Sequence, residues 1–476
     1  LTSTAKKVAY TVSGTTNNGY LKIYSENKYS LCLNGVSITN PDGAAINLQS
    51  KKRSYIVLAD GTTNTLTDGT AYTDETAGED MKAALFCEGK MLFSGKGSLL
   101  VNAHCKAGIR SDAYIQFSPG CNVYVNATAG NGIKANDAIY VKGGVINVET
   151  SAAMAKAISC DGEILVSGGR TTAITTGDAR TDADGLDASG CAAVKTDSVL
   201  NINGGSLLCK STGTGGKGIN AQQGISVTQG TLRVVTTGNR FDDGTHTVSA
   251  TGIKSDGDIT LGHADIMVRA TGGKDSEGIE SKTRLTVTDG KLQVYSHDHA
   301  LCATSSLTVS GGYTFAMSTE GYGFHAGGAI SLSGGVAIGC GSPDAKAGFY
   351  SADNNWAITG GTVLALGGTA SAPNNGATTQ PVVMVNADAI QSGTFITVAD
   401  STCLLAFKAP ADYTQGCAFM ASSPLLTQGH SYTVSRGAAV TGGTDFCGYV
   451  TDGTVSGGTA WCTLALNNII NTWTKE

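Results

Sequence analysis

The chain has 476 residues, of which 65 are Gly and only 7 Pro, with 41% hydrophobic and 15% charged residues. Its 38 acidic and 32 basic residues leave a net charge of −6, which sets it against polyanions such as nucleic acid unless cations or a local basic strip intervene. No run of about 18 apolar residues codes a membrane span, and thirteen Cys without a CxxC pair indicate neither a complete disulfide framework nor a zinc ribbon.

The opening "LTSTAKKVAY" lacks an apolar h-region, so a secretion signal is expected to have been removed or to lie outside this sequence. From Ala84 a four-residue frame recurs: small, apolar, polar, small. It reads Ala84-Leu85-Phe86-Cys87, Gly108-Ile109-Arg110-Ser111, Gly132-Ile133-Lys134-Ala135 and Ala157-Ile158-Ser159-Cys160, with a usual step of 22 to 26 residues. Between 157 and 218 both Gly185-Leu186-Asp187-Ala188 and Ala193-Val194-Lys195-Thr196 fit, so one rung and an insertion lie there. The frame resumes at Gly218-Ile219, Gly252-Ile253, Gly278-Ile279, Ala300-Leu301, Gly323-Phe324 and Gly348-Phe349.

A fixed period in the twenties means stacked units, and alternation of apolar and polar residues within each is strand periodicity. Each unit adds a second strand ("DITL", "SLTV"), a Gly-rich corner ("VSGG", "INGG", "LSGG", "ITGG") and a third strand ("TVLAL"). Three strands and three corners per turn predict an all-β, right-handed parallel β-helix of about twelve turns. Leucine-rich repeats compete but need a helical segment and a Leu-x-Leu-x-x-Asn pattern that this chain lacks. Ile109, Ile133, Ile158, Ile219, Ile253 and Ile279 should stack in one internal column, and Cys87, Cys160 and Cys302 read as core thiols at the small inward position. After residue 366 the pattern loosens, although 419 to 434 still scans as a rung. The expected division is a β-helix over 1–366 and a continuation with capping strands over 367–476, since an open solenoid end exposes unpaired strand edges.

The longest loops, 175 to 189 and 236 to 250, bring Asp182, Asp184, Asp187, Asp242 and Asp243 to one edge, and "GGKDSEGIE" with Asp298 adds Glu277 and Glu280. Clustered carboxylates are what a hard cation with six to eight oxygen ligands takes, so these eight are the candidate metal ligands and calcium the candidate ion. "DADGLD" is not an EF-hand, because the helices and the Glu at position twelve are missing. On the outward face Arg110, Lys134, Lys195 and Lys254 form a basic column, the candidate carbohydrate-binding residues. Calcium bridging uronates reconciles an acidic protein with an acidic ligand, whereas 3 Trp and 6% aromatics speak against an extended platform for neutral crystalline glycans.

"LNGVSITNPDGAAINL" (33 to 48), "LADGTTNTLTDG" (58 to 69), the pair "GIKSDGDITL" and "EGIESKTRLTV", and "SSPLLTQGHSYTV" (422 to 434) resemble bacterial secreted carbohydrate-binding β-helix proteins related in fold to pectate lyases. The resemblance runs from about residue 30 to 460. It implies a right-handed parallel β-helix, a secreted or cell-surface location, bound calcium and affinity for acidic polysaccharide such as polygalacturonate, with a monomer expected. Where that family carries two adjacent Asp after "EGIESK", this chain has "HDHALCA", so Asp298 matches the first and His299 replaces the second.

Two other classes stay open. A lyase needs a calcium-held carboxylate and a basic residue near the sugar C5 proton, and Lys254 beside Asp256 offers those types. An inverting hydrolase needs spaced carboxylates; "FDDG" supplies adjacent Asp, but the Asn-Thr-Asp, Gly-His-Gly and Arg-Ile-Lys companions are missing. A structural or adhesive surface protein is the third reading. Non-catalytic binding is the one expected.

Overall fold

The computed structural model describes residues 1–73 and 78–476, and every regular element among them is a strand. No helix among these residues is long and apolar enough to cross a membrane. The chain packs as two compact units, Leu1–Gly257 with Gly272–Lys274, and Asp258–Thr271 with Asp275–Glu476.

The first unit is a parallel β-solenoid. One strand of each turn lies in a first sheet, and the other two, such as Ala138–Val141 and Val145–Thr150, belong to a second. The first sheet supplies ten strands here, from Thr2–Ser3 through Ile133–Ala135 to Ile253–Ser255, and four in the second unit, from Ile279–Ser281 to Phe349–Ser351. Fourteen turns therefore replace the expected twelve. The early rungs were missed because "LKIYS" (21–25) carries the strand alternation without the small residues of the frame and "INLQ" (46–49) has Leu48 where the frame ends on a small residue.

The internal column forms as the frame requires: Ile109, Ile133, Ile158, Val194, Ile219 and Ile253 are paired in that order, each at most 3% exposed. Val194 settles the ambiguous rung, because Leu186 of the competing frame is 79% exposed on an excursion from the solenoid. Burying each such side chain contributes about 2 kcal/mol, repeated at every rung. Corners stack as closely as strands do: a Cβ on Gly205, which holds φ at 72°, would fall 2.7 Å from the Gly168 carbonyl carbon. Only glycine meets both demands.

In the second unit the same inward slot holds Ile279, Leu301, Phe324 and Phe349, all buried and in register. Phe349 stacks on Phe324 at 4.4 Å and on Trp356 at 5.5 Å. The parallel ladder ends at Thr362–Gly367, which pairs antiparallel with Cys417–Ser422. The stretch from 419 is thus no rung. Cys417–Ser422 also pairs with Val382–Ala387, and a separate six-stranded sheet that includes Phe395–Ala399 and Thr459–Ala465 shares a buried core with Ile338 and Leu364. None of the thirteen cysteines is in a disulfide. Cys87 and Cys160 are buried as expected, but Cys302 is the third residue of its frame and occupies the outward position instead.

Candidate functional site

Outward positions of the first sheet alternate with the internal column. In the first unit they run Arg110, Lys134, Ser159, Lys195, Asn220, Lys254 in register. The four basic residues named from sequence do share one column. They also share a face with acids two residues on: Arg110 Nε lies 3.3 Å from Asp112, Lys195 Nζ 2.9 Å from Asp197, and Lys134 Nζ 3.2 Å from Asp161 of the next rung. This face is a ladder of ion pairs, each worth about 1 kcal/mol or less at such exposure. Residual repulsion gathers at Lys156, where burial and then Lys195 and Lys134 hold the ammonium below its ordinary pKa, opposed by Asp182.

The acidic insertions of this unit are two small hairpins, Arg180–Thr181 with Ala188–Ser189 and Phe241–Asp242 with Thr247–Val248. They meet where the Thr181 hydroxyl donates to Asp243. Their carboxylates are engaged in the turns: Asp184 accepts from Leu186 N, Asp187 from Ala188 N, Asp242 from Gly244 N, and Asp243 from Thr245 N and His246 N at 2.9 and 2.7 Å. These donors hold Asp243 far below the usual carboxylate range, Thr181 contributing most. Asp182 differs, since its buried Oδ1 accepts no hydrogen bond.

The second unit gathers a different set. Its outward column is Glu280, Cys302, His325, Tyr350. Beside it, Glu277, His299 and Tyr322 begin successive rungs, tied by Gly278 N donating to the His299 carbonyl at 2.9 Å and Ala300 N to that of Tyr322 at 3.0 Å. The rings interleave: His299 stacks on His325 at 4.3 Å, and Tyr322 lies 4.3 Å from Tyr350 with 6° between planes. Lys346 Nζ sits 4.8 Å over Tyr322. Rings stacked along the ladder cover one another's faces, so the phenol and imidazole edges are what remain for a ligand. A groove of about 460 Å³ opens there between Tyr322, Tyr350, Asn354 and the segment Thr369 to Ala372. Trp356 Nε1 anchors that wall by donating to Ser371 Oγ at 3.1 Å.

Electrostatics divide this site into a neutral half and an acidic half. Tyr322 N donates to His299 Nδ1 at 3.1 Å, which fixes that nitrogen as an acceptor. Burial holds the His299 pKa below its ordinary value, opposed by Asp298 at 3.1 Å from the same nitrogen and aided by Lys346. Burial, then His299, lowers His325 to about 4. Its Nδ1 lies 3.4 Å from Cys302 Sγ, whose thiol burial and then Glu280 push up to about 12. Both shifts favour the neutral thiol and imidazole over a thiolate–imidazolium pair.

Glu277 marks the acidic half. Burial and then the charges of Glu280, Asp298 and Asp275 raise its carboxyl to about 7. Glu280 is buried and accepts from Lys282, while Asp298 Oδ1 accepts from His299 N at 2.9 Å. Nearby, Ser276 Oγ and His297 Nδ1 are buried without a hydrogen-bond partner. Among the described residues no group of three or more His, Cys, Asp or Glu stands ready to hold a metal ion. Of the eight predicted ligands, Asp182, Asp184, Asp187, Asp242 and Asp243 belong to the first unit and Glu277, Glu280 and Asp298 to the second. Sequence reasoning missed His299 and His325 as members, although His and Tyr recurring at one frame position of successive rungs was a readable signal.

Comparison with known proteins gives three similarities. A family model described as carbohydrate-binding domain-containing protein matches residues 1–274 and 271–412. A protein of the same description from Acetivibrio thermocellus is 36% identical over 121 residues, 25% of this chain and 42% of that one, so the chain matches less than half of that relative's length. The solved polysaccharide lyase-like protein from C. thermocellum is similar over 55% of this chain and 84% of its own, with 23% identity and a TM-score of 0.36.

Proposed function

The chain belongs to the carbohydrate-binding domain-containing family, and from that premise we propose that it binds acidic polysaccharide, of polygalacturonate type, without cleaving it. The observation that carries the reading is the ladder of His299, Tyr322, His325 and Tyr350 beside Lys346 on one side and Glu277, Glu280 and Asp298 on the other. Ring edges offer hydrogen-bonding groups to sugar hydroxyls, and Lys346 offers a cation to a uronate. Stacked faces suit this polar ligand better than a flat neutral glycan, which needs open ring faces.

Calcium is part of the proposal. Glu277, Glu280 and Asp298 supply hard oxygen donors whose mutual repulsion a divalent cation would relieve. Because no preformed trio exists among the described residues, the sugar's own carboxylate would complete the ligand shell. When bound, the ion supplies charge neutralisation between protein and ligand carboxylates. A secreted or cell-surface location and a monomer, as the resemblance implies, belong to the same proposal.

Affinity gels containing polygalacturonate test this reading. The calcium-dependent part of the retardation is expected to be lost in the Tyr322→Ala and Tyr350→Ala variants. Unretarded wild type, or release of unsaturated oligosaccharides absorbing in the ultraviolet, would contradict it.

A further inference from the structure

The first unit carries a second set of basic residues, away from the column named from sequence. Val8, Tyr29, Ser54 and Met91 start successive strands of one ladder and are paired in that order. The residue just before each is Lys7, Lys28, Arg53 or Lys90. Backbone bonds extend the register to the last two, with Tyr29 N donating to the Arg53 carbonyl at 3.3 Å and Ser54 N to that of Lys90 at 2.9 Å. Four consecutive corners therefore each present a cation in single file, over about 14 Å at the rung spacing of a sheet.

Lys6, Lys51 and Lys52 flank the file, giving seven basic residues against Glu26 and Glu88 in the same corners. Lys6, Lys7, Lys28, Lys51 and Lys52 are exposed. Unlike Arg110, Lys134 and Lys195, none of the seven forms an ion pair with a carboxylate of the described residues. Arg53 lies beside the phenols of Tyr55 and Tyr114, and Lys90 Nζ sits 5.4 Å over the Tyr114 ring. A groove of about 700 Å³ opens at the start of the file, lined by Lys6, Lys7, Lys28 and Lys52 together with Glu26 and Tyr55. Lys7 holds φ at 58°, a left-handed conformation that favours glycine, yet the position carries a lysine.

We propose that this groove is a second, calcium-independent binding site for a linear polysaccharide bearing a carboxylate or sulfate ester on each residue. Cations without a carboxylate partner, repeating at each rung, match a thin single chain with one charge per sugar. A nucleic-acid duplex spreads charge over two strands and calls for a broad basic surface, which a single file on a protein of net charge −6 does not give. The site involves neither the ring ladder nor the acidic cluster of the second unit, so it stands or falls separately from the function proposed above.

The test is calorimetric titration of the full chain in EDTA with polygalacturonate, dextran sulfate, neutral dextran and a short DNA duplex. Wild type should bind the two charged polysaccharides and not neutral dextran, with affinity falling as salt rises. Lys28→Gln/Lys52→Gln should weaken that binding about tenfold, as loss of two cation contacts implies, with an unchanged unfolding temperature as the fold control. A control variant at an exposed lysine outside both sites, Lys210→Gln, should bind as wild type does in EDTA. Absence of wild-type binding in EDTA, equal binding by the double variant, or tighter binding of DNA than of either polysaccharide would overturn the proposal.

Discussion

Replacing Glu277 by Gln removes a carboxyl that the folded protein holds at about 7 and that an exposed chain holds near its ordinary 4.5. Between those values the folded state binds more protons than the unfolded state, so this group's contribution favours folding at low pH and is lost as pH rises through about 7. At about 1.4 kcal/mol per pH unit the loss comes to about 3 kcal/mol. Glu277→Gln should therefore match wild-type stability near pH 4.5 and exceed it by about 3 kcal/mol at pH 8, measured by urea unfolding across that range. Calcium should restore part of the wild-type deficit at pH 8 and leave the variant unchanged, because a cation offsets the repulsion among Glu277, Glu280 and Asp298. A pH-independent difference between the two proteins would refute the burial and crowding assigned to Glu277.

His325 should behave in the opposite sense: its pKa of about 4 lies below the ordinary 6.5, so its contribution is present above 6.5 and lost as pH falls towards 4, and His325→Gln should flatten that slope by about 3 kcal/mol in the same assay. Gly321→Ala would set a Cβ 2.5 Å from His299 Nδ1, and should lower stability by about 1 to 3 kcal/mol and weaken polysaccharide retention as the ring ladder shifts. Ile133→Ala, at a fully buried rung between Ile109 and Ile158, should cost about 2 to 5 kcal/mol by thermal unfolding. Arg110→Ala, on the paired outer face, should cost about 1 kcal/mol or less and leave polysaccharide binding unaltered.

The solenoid was legible because its frame repeats the same burial demand: apolar at the second position and small at the fourth wherever two rungs stack. Rungs lacking the small residues, such as Leu21–Ser25, were invisible to that frame although their alternation was present. Leu186 deceived because a hairpin turn can carry the frame's residue types without its burial, which Val194 has. The basic column was legible as a column, and ion pairing as a property of its face; Asp112 and Asp197 stand two residues beyond Arg110 and Lys195, and strand periodicity places them on the same face. The ring ladder depends on two columns lying side by side, His299 and Tyr322 against His325 and Tyr350, and that adjacency follows from register between rungs, which spacing alone leaves open. The single file at Lys7, Lys28, Arg53 and Lys90 was hidden for the same reason, its members lying 21, 25 and 37 residues apart.

Titration of a galacturonate oligosaccharide into the full chain in calcium buffer at pH 8, against a His325→Ala/Tyr350→Ala variant of unchanged unfolding temperature, tests most directly whether the ring ladder is where the ligand sits. Saturable binding by wild type, with loss of the calcium-dependent component in the variant, is the expected result. Identical calcium-dependent isotherms for the two proteins would contradict it.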